Sequence, residues 1–513
     1  MSSADQARAD AATQPANDPP LQIDPEWIEA FGPGELLPPS LAAWRPLVVE
    51  GLAQFLNGLP PQRLGEIVAS QLALADDATA HERLVALLLQ CPTLHKLGQV
   101  VARQPHLDEA LRQRLRALES MPSTLDEADM AALLVRLHAE LPATAALAID
   151  RRPLAQGSVA VVLPFEWRDD GSGAKGQAHE GVFKLLKPGI VERLAQELAL
   201  LPQVAAFLER RGAELGLPAL DYRDTLDGVG RLLGEETRLD HEQANLRAAH
   251  AFYADEPRIL VPALLPWCTP WATAMQRVRG VGLADAALPP QQRATLAATA
   301  LSALLAKPFW TLADPALFHG DLHGGNLLVT ADGRLAVLDW ALVARVGKRH
   351  REAVVAAVIG GLTLDATALR AALAELGGVD ADDAALAAQV ERSLDALVRA
   401  GRPAGFDWLL GLLDAIALDG RIRFDAQLSV FRKTWLSLAG VLGDLAGDAA
   451  SPDAALIEAG VRRFMAEWPA RWQPAAGADA FATHVSNAEL AAAMVSACFT
   501  GMRWWSRRLA PSA

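Results

Sequence analysis

Residues 318–340 read FHGDLHGGNLLVTADGRLAVLDW, and this stretch constrains the chain more than any other. A polar loop, HGDLHGGN, leads into two short β-prone runs, LLV and LAVLD, on either side of Ala331–Asp332–Gly333. Asp-Gly between two such runs predicts a hairpin, because glycine adopts the left-handed backbone of a tight turn without steric cost. The loop sets Asp321 and Asn326 five positions apart, and Asp339 follows thirteen after Asn326. That is the spacing of a phosphoryl-transfer site, in which one Asp orients the nucleophile while an Asn and a second Asp hold Mg on the nucleotide phosphates. Two carboxylates and an amide oxygen are suitable hard ligands for Mg.

Blander readings compete. His319 and His323 lie four apart and allow a metal pair. A kinase catalytic loop instead supplies a histidine before its Asp for packing and hydrogen bonding. Gly324 and Gly325 alone read as an ordinary loop.

The chain has 513 residues, which is room for two to four domains, and it is 51% apolar and 21% charged, enough to bury a sizeable core. A net charge of −14 without a basic patch argues against a nucleic-acid partner. Cys91, Cys268 and Cys498 are scattered and form neither a disulfide framework nor a metal pair, which fits a reducing cytoplasm. Residues 1–20 are polar, without the apolar core of a signal peptide, and read as a disordered tail. No uncharged apolar run reaches the ~18 residues of a spanning helix. Arginine is abundant and lysine scarce, which reads as coding bias.

Along the chain, residues 21–145 predict a helical N-terminal extension, since apolar residues recur at helical spacing between prolines. From residue 146 to 280 the pattern is that of a small lobe. LAQGSVAVVLPFEW and GVFKLLKPG read as two strands around a long tip, and the second carries Lys184. Helices are expected over 190–216 and 228–254, the latter with Glu242, and TAMQRVRGVGL reads as strand and hinge. Residues 281–513 predict a large lobe followed by helices to the end. The fold class is α+β, a two-lobed protein-kinase-like fold with helical regions at both ends. A nucleotide kinase needs a cation on the phosphates and an acid to hold it, and Lys184 followed by Glu242 has that order. Each alone reads as a solvated strand Lys and a surface helix Glu. A GxGxxG phosphate loop is absent. In its place stands PLAQGS, where Ala155, Gln156, Gly157 and Ser158 either cradle phosphate or form a plain turn.

Four separated segments resemble the UbiB/AarF/ADCK family of atypical kinases. Lys96-Leu97-Gly98-Gln99 looks like its K-x-G-Q signature, and PLAQGSV like its Ala-rich loop. Glu236, Glu242 and Asn245 are spaced like its E-x-D…E-x-x-N helix, and HGDLHGGN with LDWALVARV is similar to HADLHPGN and LDFG. VFKLLKPG and the hinge MQRVRG also match, and the resemblance covers roughly residues 85–350. It implies that Lys184 binds phosphate and pairs with Glu242, that Asp321 is catalytic, and that Asn326 and Asp339 carry Mg. It further implies that Ala155–Ser158 and the hinge residues Met275 and Arg277 border ATP. Lys96, Gln99 and Glu236 would gate the cleft, with Lys96 bridging to Glu236. The implied activity is that of an ATPase or small-molecule kinase connected with ubiquinone biosynthesis or lipid homeostasis.

The chain also departs from that pattern. The second acid of E-x-D is Arg238, the loop is Ala-Gln-Gly-Ser, and the LDFG positions hold Trp340 and Ala341. HGDLH and Asp-Trp also look like aminoglycoside and choline phosphotransferases, so a soluble small-molecule phosphotransferase and a non-catalytic nucleotide-binding scaffold stand as alternatives. The expected partners are ATP and a small-molecule or lipid-like substrate. The sequence does not give the oligomeric state, and a homo-oligomer is compatible with it. The expected location is the cytoplasm, with peripheral contact at the inner membrane. Leu490–Met502 is uncharged and precedes Arg503-Trp504-Trp505-Ser506-Arg507-Arg508. That pattern suits lipid headgroups. The competing reading buries both tryptophans in the large lobe.

Overall fold

The computed structural model describes residues 22–30, 37, 39–75, 77–102, 125, 127–142, 147–168, 178–218, 220–283, 286–418, 426–446, 451–478 and 480–509. The expected tail at 1–20 lies outside them, as does the middle of the tip at 169–177. The chain forms two compact units, Met1–Leu239 with Thr269–Ala274, and Asp240–Cys268 with Met275–Ala513.

The first unit holds, apart from Met275 and Gln276 at the end of β6, a sheet in the order β1-β3-β4-β6, with β2 also paired to β3. Its strands are β1 (Leu147–Ile149), β2 (Ala155–Gln156), β3 (Ala160–Arg168), β4 (Ala178–Leu186) and β6 (Ala272–Gln276). β3 and β4 form the expected hairpin in antiparallel register, with Val162 opposite Lys184. Phe165 and Phe183 stack across it at 4.3 Å.

The helices that follow β4 belong with the N-terminal ones. Leu201, Val204, Ala205 and Leu226 share one core with Val49, Phe55, Leu56, Ile67 and Leu87. A Cβ on Gly51 would stand 2.8 Å from Leu208 Cδ2, so glycine sets how closely Arg45–Asn57 approaches Leu201–Glu214. A buried ion pair adds to this core. Arg63 Nη2 donates to Glu197 Oε1 at 2.8 Å, and Thr93 N–H donates to Glu197 Oε2 at 2.9 Å. Burial nevertheless pushes the Glu197 carboxyl up to about 7. Breaking one partner of such a pair strands a buried charge and costs about 3–5 kcal/mol.

The helix expected over 228–254 is two helices, Tyr222–Glu236 and Leu239–Phe252. The break has a local cause. Thr237 Oγ1–H donates to Gly234 O at 2.9 Å, closing the first helix, and fully buried Leu239 opens the second. Side-chain-to-backbone bonds of this kind compete with helix continuation.

The second unit has a four-stranded sheet in the order β5-β10-β9-β7 and a two-stranded sheet β11-β8. These strands are β5 (Ile259–Leu260), β7 (Gly280–Gly282), β8 (Ala316–His319), β9 (Leu327–Thr330), β10 (Leu335–Val337) and β11 (Val343–Val346). β9 and β10 form the hairpin that Asp332-Gly333 predicts, with Gly333 at φ 81°. The strands lie on a helical core that includes Leu304, Phe309, Phe318, Trp340, Phe431 and Trp435. Among the described residues no helix is long and apolar enough to cross a membrane.

Candidate functional site

In the second unit, β8 delivers the polar loop from a fully buried strand. Gly320 follows, where a Cβ would meet Leu342 at 2.7 Å and Val430 at 2.8 Å. Only glycine lets the chain turn between those side chains. His319 then organises the loop from below. Its Nδ1 accepts from Asp321 N–H at 3.1 Å, so the ring proton sits on Nε2, which donates to Leu338 O at 2.9 Å. Burial holds the imidazole below its ordinary pKa, outweighing the upward pull of the Leu338 carbonyl and of Asp321 and Asp339. The ring is therefore a neutral strut joining the backbone at Asp321 to the backbone beside Asp339. His319 packs edge-on against Trp340 at 4.7 Å. Since His319 spends both nitrogens this way, it does not form the metal pair with His323 that their spacing allowed.

Asn326 donates from Nδ2 to Asp321 O at 3.1 Å, and its own carbonyl accepts from Leu338 N–H at 2.9 Å. With Nδ2 tied in this way, the amide oxygen is the atom that could serve a metal. Asp339 has φ 53°, a left-handed backbone that Asp tolerates better than most residues. Its Oδ1 accepts from Ala341 N–H at 3.4 Å. The donor set of Asp339 carboxylate and Asn326 amide oxygen fits Mg, a hard cation that takes oxygen ligands. Among the described residues no group of three or more His, Cys, Asp or Glu side chains forms a separate metal cluster.

The helix Leu239–Phe252 supports this loop. Asn245 donates from Nδ2 to Trp340 O at 3.1 Å and accepts from Arg345 Nη2 at 2.8 Å. Glu242, one turn earlier, is 1% exposed. Met275, in β6, and Arg277, just beyond it, lie in the hinge segment and are both half-buried.

In the first unit, Lys184 is half-buried in β4. Ala155 and Gln156 form β2, and Gly157 N–H donates to Ala160 O at 2.8 Å, turning the chain into β3. Ser158 Oγ–H donates to Glu236 Oε2 at 3.1 Å. Lys96, on the helix Pro92–Ala102, is 5% exposed and forms an ion pair with Glu236. One carboxylate thus joins the K-x-G-Q helix to the loop standing where a glycine-rich loop would be. Gln99 lies on the same helix, and its side chain is outside those described.

Two further residues reach the polar loop from the helix Ala426–Ala446, and neither belongs to the motif spacing. Lys433 Nζ stands 2.9 Å from Asp321 Oδ1, and Thr434 Oγ1–H donates to His319 O at 2.9 Å. The one available signal was that Lys433 is the only lysine after Lys348. His323 Nε2 is 3.8 Å from Asp321 Oδ2.

Residues 124–373 match the ABC1 atypical kinase-like domain. A probable protein kinase UbiB of Pseudomonas fluorescens is 26% identical over 242 residues, covering 47% of this chain and 43% of the relative. An aarF domain-containing protein kinase of Arabidopsis thaliana is 24% identical over 315 residues, covering 60% of this chain and 56% of the relative. A solved erythromycin complex from Mycobacterium tuberculosis aligns over 75% of this chain and 88% of that one, at 18% identity and a TM-score of 0.42. The chain spans about half the length of the curated relatives it matches. The family model over residues 124–373 and the kinase-named relatives in bacteria and a plant support the UbiB/AarF/ADCK family of atypical kinases for this chain.

Proposed function

We propose that this protein is a Mg-dependent ATPase or small-molecule kinase, with a phenolic or lipid-like acceptor connected with ubiquinone biosynthesis or lipid homeostasis. The observation that carries the reading is the His319 strut, which fixes Asp321 and the backbone before Asp339 through one neutral ring. Asp321 orients the attacking water or hydroxyl and takes its proton. Asn326 and Asp339 hold Mg, which when bound neutralises the phosphates. In this reading Lys184 serves the α/β-phosphates with Glu242 as its acid, and Ala155, Gln156, Gly157, Ser158, Met275 and Arg277 serve the nucleotide. Lys96, Gln99 and Glu236 gate access. Preorganised groups of this kind stabilise charge as it develops, because no reorganisation is needed at the moment of reaction.

Peripheral membrane contact is part of this reading, and the C-terminal helices support it. Trp504 packs against the large core, whereas Trp505 is 60% exposed. On Thr500–Leu509, Arg503 and Arg507 point inward to Asp365, Glu391 and Asp395. Met502, Trp505 and Leu509 line the outward side at helical spacing. The solvent side of this helix therefore carries an apolar stripe beside exposed Ser506 and Arg508. A second outward stripe runs through Ile457, Val461, Met465, Trp468 and Trp472. Exposed tryptophans set among arginines suit the headgroup layer.

The test is ATP turnover by the purified full chain with and without Mg, phenolic ubiquinone-precursor analogues and anionic vesicles. Mg-dependent turnover stimulated by phenols or vesicles is expected. Turnover only with a water-soluble amino-sugar or amino-alcohol acceptor would favour the phosphotransferase reading to which Asp339-Trp340 points. Binding without turnover would leave a scaffold. Loss of ubiquinone on gene deletion tests the pathway.

A further inference from the structure

The polar loop, 318–326, contains no lysine or arginine. Phosphoryl transfer spreads negative charge over the equatorial oxygens of the transferred group, and kinase-type sites place cations there. The structure puts a cation at this loop from far along the chain. Lys433 Nζ is 2.9 Å from Asp321 Oδ1, and the side chain is 28% exposed. The neighbouring Thr434 hydroxyl bonds the His319 carbonyl, so the helix is fixed at this point and does not merely pass by.

The composition sharpens the observation. The chain has 47 Lys and Arg together, of which seven are lysine, so arginine is its ordinary cation. The surface pairs around Glu50, Asp332 and Asp414 use arginine. Lysine differs in being a compact point charge on a flexible stem with three rotatable donors. Such a group can leave one oxygen for another as charge builds, which a planar guanidinium fork does less readily.

Resting on the phosphoryl-transfer reading above, we infer that Lys433 is a catalytic residue that stabilises the transferred phosphoryl group. Distances permit this. A nucleophile oriented by Asp321 sits about 3 Å from the carboxylate. The phosphorus it attacks sits about 3–3.5 Å further on. A lysine resting against Asp321 reaches an equatorial oxygen by a rotamer change. In the step itself, the acceptor oxygen forms a bond to the γ-phosphorus. The bond from that phosphorus to the β–γ bridging oxygen breaks, and its electron pair leaves on ADP. The acceptor proton passes to the Asp321 carboxylate. With water as acceptor the products are ADP, phosphate and a proton. Lys433 contributes no atom, and releases its hold on Asp321 Oδ1 as that carboxylate loses its charge to the incoming proton.

The experiment compares full-length wild type, Lys433→Met, Lys433→Arg and Asp321→Asn by steady-state Mg-ATP turnover, melting temperature and affinity for Mg-ADP with and without aluminium fluoride. Aluminium fluoride mimics the transferred phosphoryl group. For Lys433→Met, kcat is expected to fall about 10²–10³-fold with KM little changed, the pattern of an interaction made only in the transition state. Mg-ADP should bind as in wild type, but aluminium fluoride should no longer tighten it, and Lys433→Arg should recover part of both. Should Lys433→Met not fold, Lys433→Gln carries the same measurements. Wild-type kcat and wild-type tightening in the folded variant overturn the inference. Equal loss of Mg-ADP affinity and melting temperature without a selective loss of tightening also overturns it, since it shows a structural role. If wild type hydrolyses no ATP, or Asp321→Asn is fully active, the phosphoryl-transfer reading itself fails. An active wild type with an inactive Asp321→Asn and an undiminished Lys433→Met removes Lys433 alone.

Discussion

Asn245 Nδ2 donates to the carbonyl oxygen of Trp340 at 3.1 Å, so the helix Leu239–Phe252 holds the peptide that follows Asp339. Arg345 completes the brace from β11. Supports behind metal ligands commonly govern affinity about 10–100-fold. Asn245→Ala is therefore expected to weaken Mg-ATP binding about tenfold while Mg-free nucleotide binding changes less. Isothermal titration with and without Mg checks this, and equal losses in both titrations would place Asn245 in the general scaffold.

Asp321 and Asp339 should separate by readout. Asp339→Asn should abolish the Mg-dependent part of the nucleotide-induced rise in melting temperature and leave the fold intact. Asp321→Asn should keep that rise and lose turnover by at least about 10²-fold, since it removes proton acceptance and not metal binding. An unchanged thermal-shift titration in Asp339→Asn would exclude it as a Mg ligand.

Glu236 carries Lys96 on one oxygen and Ser158 on the other. Lys96→Ala leaves the Ser158 contact with no cation behind it, which loosens the Ala155–Ser158 turn. The expected outcome is altered ATP turnover or ATP/ADP selectivity with a melting temperature close to wild type. Full-length protein with unaltered nucleotide selectivity and turnover would confine the pair to stability.

His484 gives the second unit an acid limit. Burial lowers its pKa to about 4, against the pull of the Phe309 carbonyl at 2.7 Å. The folded-state pKa lies below the unfolded value of about 6.5, so the unfolded chain takes up protons first as pH falls. Its contribution is complete above about pH 6.5 and is lost towards pH 4, up to roughly 3 kcal/mol. Burial also lowers the pKa of His319, which adds loss in the same direction. Urea unfolding at pH 7.5 and 5 should show wild type losing more stability than His484→Asn across that interval. Asparagine tolerates the positive φ of 58° at this position.

Trp505 and Trp504 should part company in a vesicle assay. Trp505→Ser is expected to lower co-sedimentation with anionic vesicles without changing the melting temperature. Trp504→Ala should lower the melting temperature, because that ring packs on the large core. Equal vesicle binding by wild type and Trp505→Ser, or none by either, would remove the membrane contact.

The parts legible in the sequence were those set by short-range chemistry. Asp332-Gly333 between β-formers predicts β9 and β10, and the Asp321–Asn326 spacing places both residues in one loop. The Lys96–Glu236 pair was legible only through family resemblance, since 140 residues separate the partners. The sequence did not show that the helices after β4 share a core with the N-terminal ones, because apolar periodicity names a buried face and not its partner. Nor did it resolve the two tryptophans. Adjacent residues on a helix point about 100° apart, so one packs inward and the other faces solvent.

The hydroxyl of Thr434 closes on His319 across 115 residues of sequence. Residues 426–446 also lie beyond 124–373, the span that matches the family domain. During synthesis the loop therefore emerges well before the helix that clamps it, and the loop's final shape waits on a closure across 115 residues. A fragment cut at the edge of the family match would retain Asp321, Asn326 and Asp339 in sequence and still lack the clasp that holds them in place.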